Sequence, residues 1–212
     1  MTNRCYLIAA YVVLAALFLA ACESSGPKQT TSVDRVLMSR NISNAPYSKV
    51  LVIGATPSRE TARNIEYGLS KELNAARVEA HSFVKESSSK EPSDEAVQAL
   101  VIETGVDGVI IVSGRLLGAT GVERDEQVDF DAETRGGRLF NYFRYDYTDI
   151  ERPSYADFTR DVVLVTDFFD AESGDRIYSV ESSTAHGQTS YEIITAESKA
   201  IIKQLKQDGL IR

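Results

Sequence analysis

The chain has 212 residues, of which 25% are charged and 43% are apolar, with 13 glycines and 5 prolines. These values are ordinary for a folded domain and exclude collagen, a coiled coil, a polytopic membrane protein and a fully disordered chain. The net charge of −8, without a cluster of lysine or arginine, argues against a nucleic-acid partner.

The first 21 residues have the pattern of a secretory signal peptide. One positive charge, Arg4, precedes Tyr6–Ala21, a run of 16 residues without a charged or strongly polar side chain. A helix of that length is shorter than the ~30 Å hydrocarbon core of a bilayer, so the pattern favours a cleaved leader. An anchor helix, or an ordinary signal peptide that happens to carry a cysteine, is the alternative interpretation.

The leader ends at Leu19-Ala20-Ala21-Cys22, which resembles the lipobox of bacterial lipoproteins. The resemblance implies that Cys22 carries diacylglycerol and an amide-linked acyl chain, a covalent lipid rather than a bound cofactor. Three chains would anchor the protein almost permanently, because each buried CH₂ contributes about 0.8 kcal/mol. Glu23 follows, instead of the Asp that resembles an inner-membrane retention signal. We therefore expect a membrane anchor on the periplasmic face of the outer membrane.

The mature chain has no thiol for a disulfide, because Cys5 leaves with the leader and Cys22 carries lipid. Residues 22–46 are polar and rich in Ser, Thr and Asn, which predicts a lipidated N-terminus followed by a flexible tether. As coil, the tether would span roughly 27 Å. The apolar interruption Val36-Leu37-Met38 leaves open the alternative that this segment docks on the domain.

Residues 47–212 predict a single periplasmic domain that begins with alternating strands and helices. Strands are predicted at 49–54, 77–84 and 107–113, and one helix between them is capped by Ser93 and ends before Gly105. The other helix is predicted to be capped by Thr56 and has one apolar face, formed by Ala62, Ile65, Leu69, Leu73 and Ala76. With right-handed crossovers, this order predicts a three-strand parallel βαβαβ core.

The second half predicts an antiparallel hairpin and a C-terminal helix. The apolar runs 162–166 and 176–180 flank a turn in which Gly174 can adopt a positive φ. Ser190 is predicted to cap the last helix, which ends at Gly209. The predicted fold class is therefore α/β with a mixed sheet, in which an aromatic insert separates the parallel core from the hairpin.

The insert, residues 117–158, is too long for an ordinary connection and contains eight of the fifteen aromatic residues of the mature chain. Aromatic side chains and the arginines that accompany them are enriched at protein interfaces. We predict that one face of 140–147 packs on the sheet and that the other stays exposed for an envelope partner. The candidate partner-binding residues are Phe140, Tyr142, Phe143, Tyr145 and Tyr147.

No motif predicts catalysis or a metal site. The turn after the first strand lies where parallel α/β folds bind anions, which makes Gly54, Thr56 and Ser58 candidate anion ligands, although its single glycine fits no phosphate-binding fingerprint. The acids of 123–133 lack the EF-hand order and indicate a solvated loop. Arg63 and Glu66, three residues apart on a helix, are interpreted as a surface ion pair. We expect a protein that is not an enzyme and binds no metal or other cofactor.

A wider pattern covers most of the mature chain: 63–69 on the first helix, Gly105-Val-Asp-Gly-Val-Ile-Ile-Val112, the Tyr-rich insert, the hairpin 163–179 and Asp208-Gly-Leu-Ile211. It resembles a group of uncharacterised bacterial outer-membrane lipoproteins whose α/β domain is similar to the TolB amino-terminal domain and to CsgG-type lipoproteins. The resemblance implies an accessory or assembly role and transfers no catalytic residue. The alternative function is a small-ligand or anion-binding module that uses the turn Gly54–Ser58.

Overall fold

The computed structural model of the protein describes residues 30–39, 42, 44–56, 58–89, 91–116, 138–143, 162–185 and 189–212. Its strands are β1 (Thr30–Met38), β2 (Lys49–Ala55), β3 (Glu79–Ser82), β4 (Gly108–Leu116), β5 (Val162–Asp170) and β6 (Arg176–Ala185). Its helices are α1 (Arg59–Ala75), α2 (Phe83–Glu86), α3 (Asp94–Thr104) and α4 (Ser190–Gln207), with a 3₁₀ turn at Leu139–Asn141.

The six described strands form one mixed sheet in the order β1-β6-β5-β4-β2-β3. Strand β2 pairs in parallel with both of its neighbours, so that Leu51 lies opposite His81 on one side and Val109 on the other. Strand β5 is antiparallel to β4 and to β6. The mixed α/β fold, with its parallel βαβαβ core, antiparallel hairpin and C-terminal helix, is confirmed.

Helices cover both faces of the sheet, which is why its central strands are apolar in consecutive residues rather than in alternate ones. Ile110 and Val112 of β4 belong to the core beneath α1 and α4. The alternate residues Val109 and Ile111 belong to a second core, beneath α2, α3 and the 3₁₀ turn. Every side chain of the run 109–112 is therefore buried.

Two predicted helix caps are displaced by one or two residues. Ser58, rather than Thr56, caps α1, because its hydroxyl accepts the Thr61 N–H at 3.2 Å. Thr189, rather than Ser190, caps α4 by accepting the Glu192 N–H at 3.2 Å. The predicted cap at Ser93 is confirmed by the Ala96 N–H, also at 3.2 Å. Neighbouring hydroxyls have similar cap propensity, so local sequence does not separate them.

The prediction of a coil across the tether is wrong for Thr30–Met38, which forms the edge strand β1. It pairs antiparallel with β6, with Thr30 opposite Ala185 and Met38 opposite Tyr178. Hydroxyl contacts support the pairing, since the Thr31 and Thr184 oxygens lie 2.7 Å apart. The alternative that this segment docks on the domain is the correct one, and the sheet therefore begins at residue 30.

Candidate functional site

The described part of the insert, residues 138–143, docks beside the hairpin turn. Arg138 forms a backbone bridge to Asp175, and the Leu139 N–H donates to the Gly174 carbonyl at 2.7 Å. The positive φ of Gly174, +74°, allows the tight turn that presents this carbonyl, as predicted for the hairpin. Strand β4 ends and β5 begins at one end of the sheet, and residues 138–143 contact the sheet at the other end.

Two of the candidate partner-binding rings are core residues. Tyr142 is 1% exposed and Phe143 is 7% exposed. The Tyr142 ring packs edge-to-face on Phe169 of β5, with centroids 5.9 Å apart, and on Phe143, with centroids 5.2 Å apart. Asp94 at the start of α3 accepts the Phe143 N–H at 3.2 Å. Both rings are enclosed by their own domain, so Tyr142 and Phe143 belong to the packed part of the segment and not, as candidates, to a partner-binding surface.

The other candidate rings differ from these two. Phe140 is half-buried and lies over the hairpin turn, where an added Cβ on Gly174 would be 3.6 Å from its ring. Tyr145 and Tyr147 lie outside the described residues. The prediction of a packed face is met by Tyr142 and Phe143, and the prediction of an exposed face stays a prediction.

The candidate anion-binding turn uses its donors internally. The Gly54 N–H donates to the Glu66 carboxylate at 3.0 Å, and the Thr56 N–H donates to the Gly54 carbonyl at 3.0 Å. The Thr56 hydroxyl donates to the Ser58 carbonyl at 2.9 Å, while the Ser58 hydroxyl caps α1. The Gly54 N–H is therefore taken by the protein's own carboxylate and the two Thr56 donors by backbone carbonyls, and anion binding at Gly54, Thr56 and Ser58 stays a prediction.

Glu66 is a buried structural carboxylate, so the prediction of a surface ion pair between Arg63 and Glu66 is wrong. It is 1% exposed and, besides the Gly54 bond, accepts the Ser82 hydroxyl at 2.6 Å and the Val84 N–H at 2.8 Å. It therefore ties α1 to the ends of β2 and β3. Burial raises its pKa above the ordinary glutamate value, and the three hydrogen bonds oppose that rise.

The sequence contains a signal that could have placed Glu66 correctly. It lies four residues after Ala62 and three before Leu69, on the stripe that predicts the buried face of α1. The missing side chain of Gly54 supports this close packing, since a Cβ there would be only 2.7 Å from the Ala62 Cα. Strand and helix therefore approach closely beside the glutamate.

A second buried carboxylate, Asp170, organises the hairpin turn and the segment before β2. One oxygen accepts the Ser173 N–H at 2.8 Å, and the other accepts the Asn44 amide at 2.7 Å and the Tyr47 hydroxyl at 2.9 Å. Burial alone would raise the pKa of Asp170, but these hydrogen bonds outweigh it and hold the pKa below its ordinary value. The carboxylate is therefore ionised in the folded protein and acts as a fixed acceptor.

A buried ion pair joins the two strands of the hairpin. The Arg176 Nη1 atom lies 3.6 Å from the Asp167 Oδ1 atom, and both side chains are buried. The attraction in such a pair roughly offsets the cost of removing two charges from water, so the pair is weak evidence for added stability. The sequence does not predict this pair, because the apolar run 162–166 ends before Asp167, whereas β5 continues to Asp170.

The described residues contain no group of three or more His, Cys, Asp or Glu side chains that could hold a metal ion. Among these same residues, no helix is long and apolar enough to cross a membrane.

Glu66 and Asp170 each accept at least three hydrogen bonds from the chain itself, which accounts for their burial as structural acceptors.

Comparison with solved structures reveals distant structural likeness. No protein-family model matches the chain, and no curated protein matches it. A PelC dodecamer from Paraburkholderia phytofirmans, carrying one leucine-to-methionine substitution, matches with a TM-score of 0.44 at 10% identity, over 87% of this chain and 100% of that one. A second structure, the PelC dodecamer from the same organism, matches with a TM-score of 0.42 at 11% identity, over 87% of this chain and 99% of that one. Likeness at this level carries no conclusion about function.

Proposed function

We propose that the protein is a lipoprotein anchored to the periplasmic face of the outer membrane, with a non-enzymatic accessory or assembly role in the envelope. The observation that carries the proposal is Leu19-Ala20-Ala21-Cys22 at the end of an uncharged run of 16 residues. This segment lies outside the described residues. The covalent lipid on Cys22 would be its membrane anchor.

The composition of the domain supports an exported protein that needs no disulfide. No cysteine occurs after Cys22, so its stability must come from packing and hydrogen bonds rather than from a cross-link. Two hydrophobic cores, one on each face of the sheet, supply the packing. A domain held in this way is compatible with an oxidising compartment and is insensitive to its redox state.

Replacing Cys22 with serine should abolish palmitate labelling and leave uncleaved precursor, because the sulfur accepts the diacylglyceryl group before the leader is cut and the new amino group is acylated. Metabolic labelling with radioactive palmitate and membrane fractionation would measure both effects. Cys5→Ser is the matched control, since Cys5 lies in the leader and its variant should be labelled as the wild type is. Persistent labelling of Cys22→Ser would contradict the lipoprotein proposal.

The envelope partner is proposed to bind the insert through rings other than Tyr142 and Phe143, which are buried. Of the remaining candidates, Phe140 is half-buried, and the proposal assigns the contact to Tyr145 and Tyr147. Replacing both with serine should reduce co-purification from crosslinked outer membranes about tenfold, the effect of losing about 1.4 kcal/mol of binding. Tyr67→Ser, which alters a tyrosine 61% exposed on α1, is the control. Unchanged co-purification of the double variant would disprove this assignment.

A further inference from the structure

We propose that the domain is held with one particular end against the membrane: the end of the sheet that contains Thr30 and the first turn of α4. The surface it meets is a layer of phospholipid headgroups. The proposal rests on lipidation of Cys22 and adds to it an orientation, which lipidation alone does not determine.

The first step is covalent reach. Strand β1 begins at Thr30, so only seven residues separate it from Cys22. A chain cannot exceed about 3.6 Å per residue, which places the Thr30 Cα atom within about 29 Å of the acylated cysteine. Had the coil extended to residue 46, the limit would have been about three times larger. Pairing of β1 with β6 therefore keeps the domain close to the bilayer.

The second step is topology, which determines what lies beside Thr30. Thr30 pairs with Ala185 at the end of β6, and α4 begins a few residues later. Strand β6 runs in the same direction as β2. From β2 to β6 the sheet order is β2-β4-β5-β6, in which the first pairing is parallel and the next two are antiparallel, so the two reversals cancel. The carboxyl end of β2 and the start of α1 therefore lie at the same end as the tether.

The third step is the chemistry of that end. Tyr191, in the first turn of α4, is 57% exposed. Tyrosine favours the headgroup region of a bilayer, where its ring and its hydroxyl meet apolar and polar surroundings. Among the described residues nearby, the exposed charges are of both signs, with Arg59 beside Glu60 on α1 and Glu192 on α4. The proposal therefore rests on the short covalent link, which maintains the contact by raising the local concentration.

The geometry has a consequence for the opposite end. The hairpin turn Ala171–Gly174 and the C-terminal end of α4 lie at the far end of the strands. They face the periplasm when the Thr30 end faces the lipid. Labels at two positions of α4 can therefore measure the orientation, since Glu192 and Gln207 are both exposed and are separated by about 22 Å of helix.

The test uses the full-length lipidated protein in vesicles of phosphatidylethanolamine and phosphatidylglycerol. Glu192→Cys and Gln207→Cys each give the mature chain one free thiol for a fluorescent label, because Cys22 is acylated. A nitroxide on the lipid headgroups should quench the label at position 192 about twofold more strongly than at position 207, given the 22 Å between them. Inserting about twenty Gly and Ser residues between Ser25 and Gly26, which adds up to about 70 Å of reach, should remove that difference.

The outcomes separate this proposal from the proposed function. Equal quenching at the two positions in palmitate-labelled, vesicle-bound protein would overturn the orientation and leave the lipoprotein assignment intact. A twofold difference that survives the insertion would show that the surface itself, rather than the short link, holds the domain, and would overturn the argument from reach. Absence of palmitate and of vesicle binding would overturn the lipoprotein assignment and the orientation with it.

Discussion

Replacement of Glu66 with alanine is expected to lower the free energy of unfolding by about 3–5 kcal/mol. The side chain accepts the N–H groups of Gly54 and Val84 and the hydroxyl of Ser82, at 3.0, 2.8 and 2.6 Å. Alanine leaves the two backbone donors buried without an acceptor, and each such group costs about 1–3 kcal/mol. The serine hydroxyl can rotate to another partner, so it adds less.

Glu66→Gln is expected to cost less than Glu66→Ala and to change the pH dependence of stability. The amide retains one acceptor oxygen. Its N–H₂ group, however, would face a donor whose hydrogen bond the carboxylate oxygen accepts in the wild type. Because burial raises the pKa of Glu66 in the folded state, its ionisation opposes folding. The stability it contributes is complete below the unfolded pKa of about 4.3 and is lost as the pH rises through the folded pKa. The advantage of the wild type over Glu66→Gln should therefore shrink from pH 4 upward.

Urea unfolding of residues 22–212 produced without the leader and with Cys22→Ser, and of its variants, at several pH values, would measure both effects. Glu60→Ala is the matched control, since it removes the same group from an exposed position in the same helix and should cost about 0.5 kcal/mol. Equal stability losses for the two alanine variants would show that Glu66 is not the buried acceptor described. A wild-type advantage that grows between pH 4 and 7 would contradict the sign of the pKa change.

Much of the architecture could be predicted because local signals and tertiary packing agree. The stripe of Ile65, Leu69 and Leu73 predicts the buried face of α1, and all three side chains are at most 1% exposed. The run 109–112 predicts a strand buried on both faces, and the glycine-containing turn before Asp175 predicts the hairpin. In α1 the spacing of the apolar residues matches the helical period, and in β4 the continuous apolar run matches burial on both faces of the sheet.

The failures have a different physical origin, since long-range pairing decides them. Strand β1 is polar enough to predict coil, yet β6 supplies the backbone partners that make it a strand. Glu66 resembles a surface residue because its three donors come from segments 12 to 18 residues away in the chain. The insert predicts an interface by composition alone, and composition does not distinguish rings that contact a partner from rings that contact Phe169.

Replacement of Tyr142 with alanine is expected to destabilise the domain by about 3–5 kcal/mol, the usual cost of deleting a buried aromatic ring. The ring is 1% exposed and contacts the rings of Phe143 and Phe169 edge-to-face. Its loss would open a cavity where the insert meets the sheet, beside Leu139. If Tyr142 formed part of a partner-binding surface instead, its replacement would weaken binding and leave the free energy of unfolding nearly constant.

Two controls separate burial from other effects of the substitution. Tyr142→Phe keeps both ring contacts and should cost less than about 1.5 kcal/mol, because nearly all of the buried volume is retained. Tyr67→Ala removes a tyrosine that is 61% exposed on α1 and should change stability by no more than about 0.5 kcal/mol. If Tyr142→Ala proved as mild as Tyr67→Ala in urea unfolding, residues 138–143 would not belong to the core, and the rings of the insert would again be candidates for a partner surface.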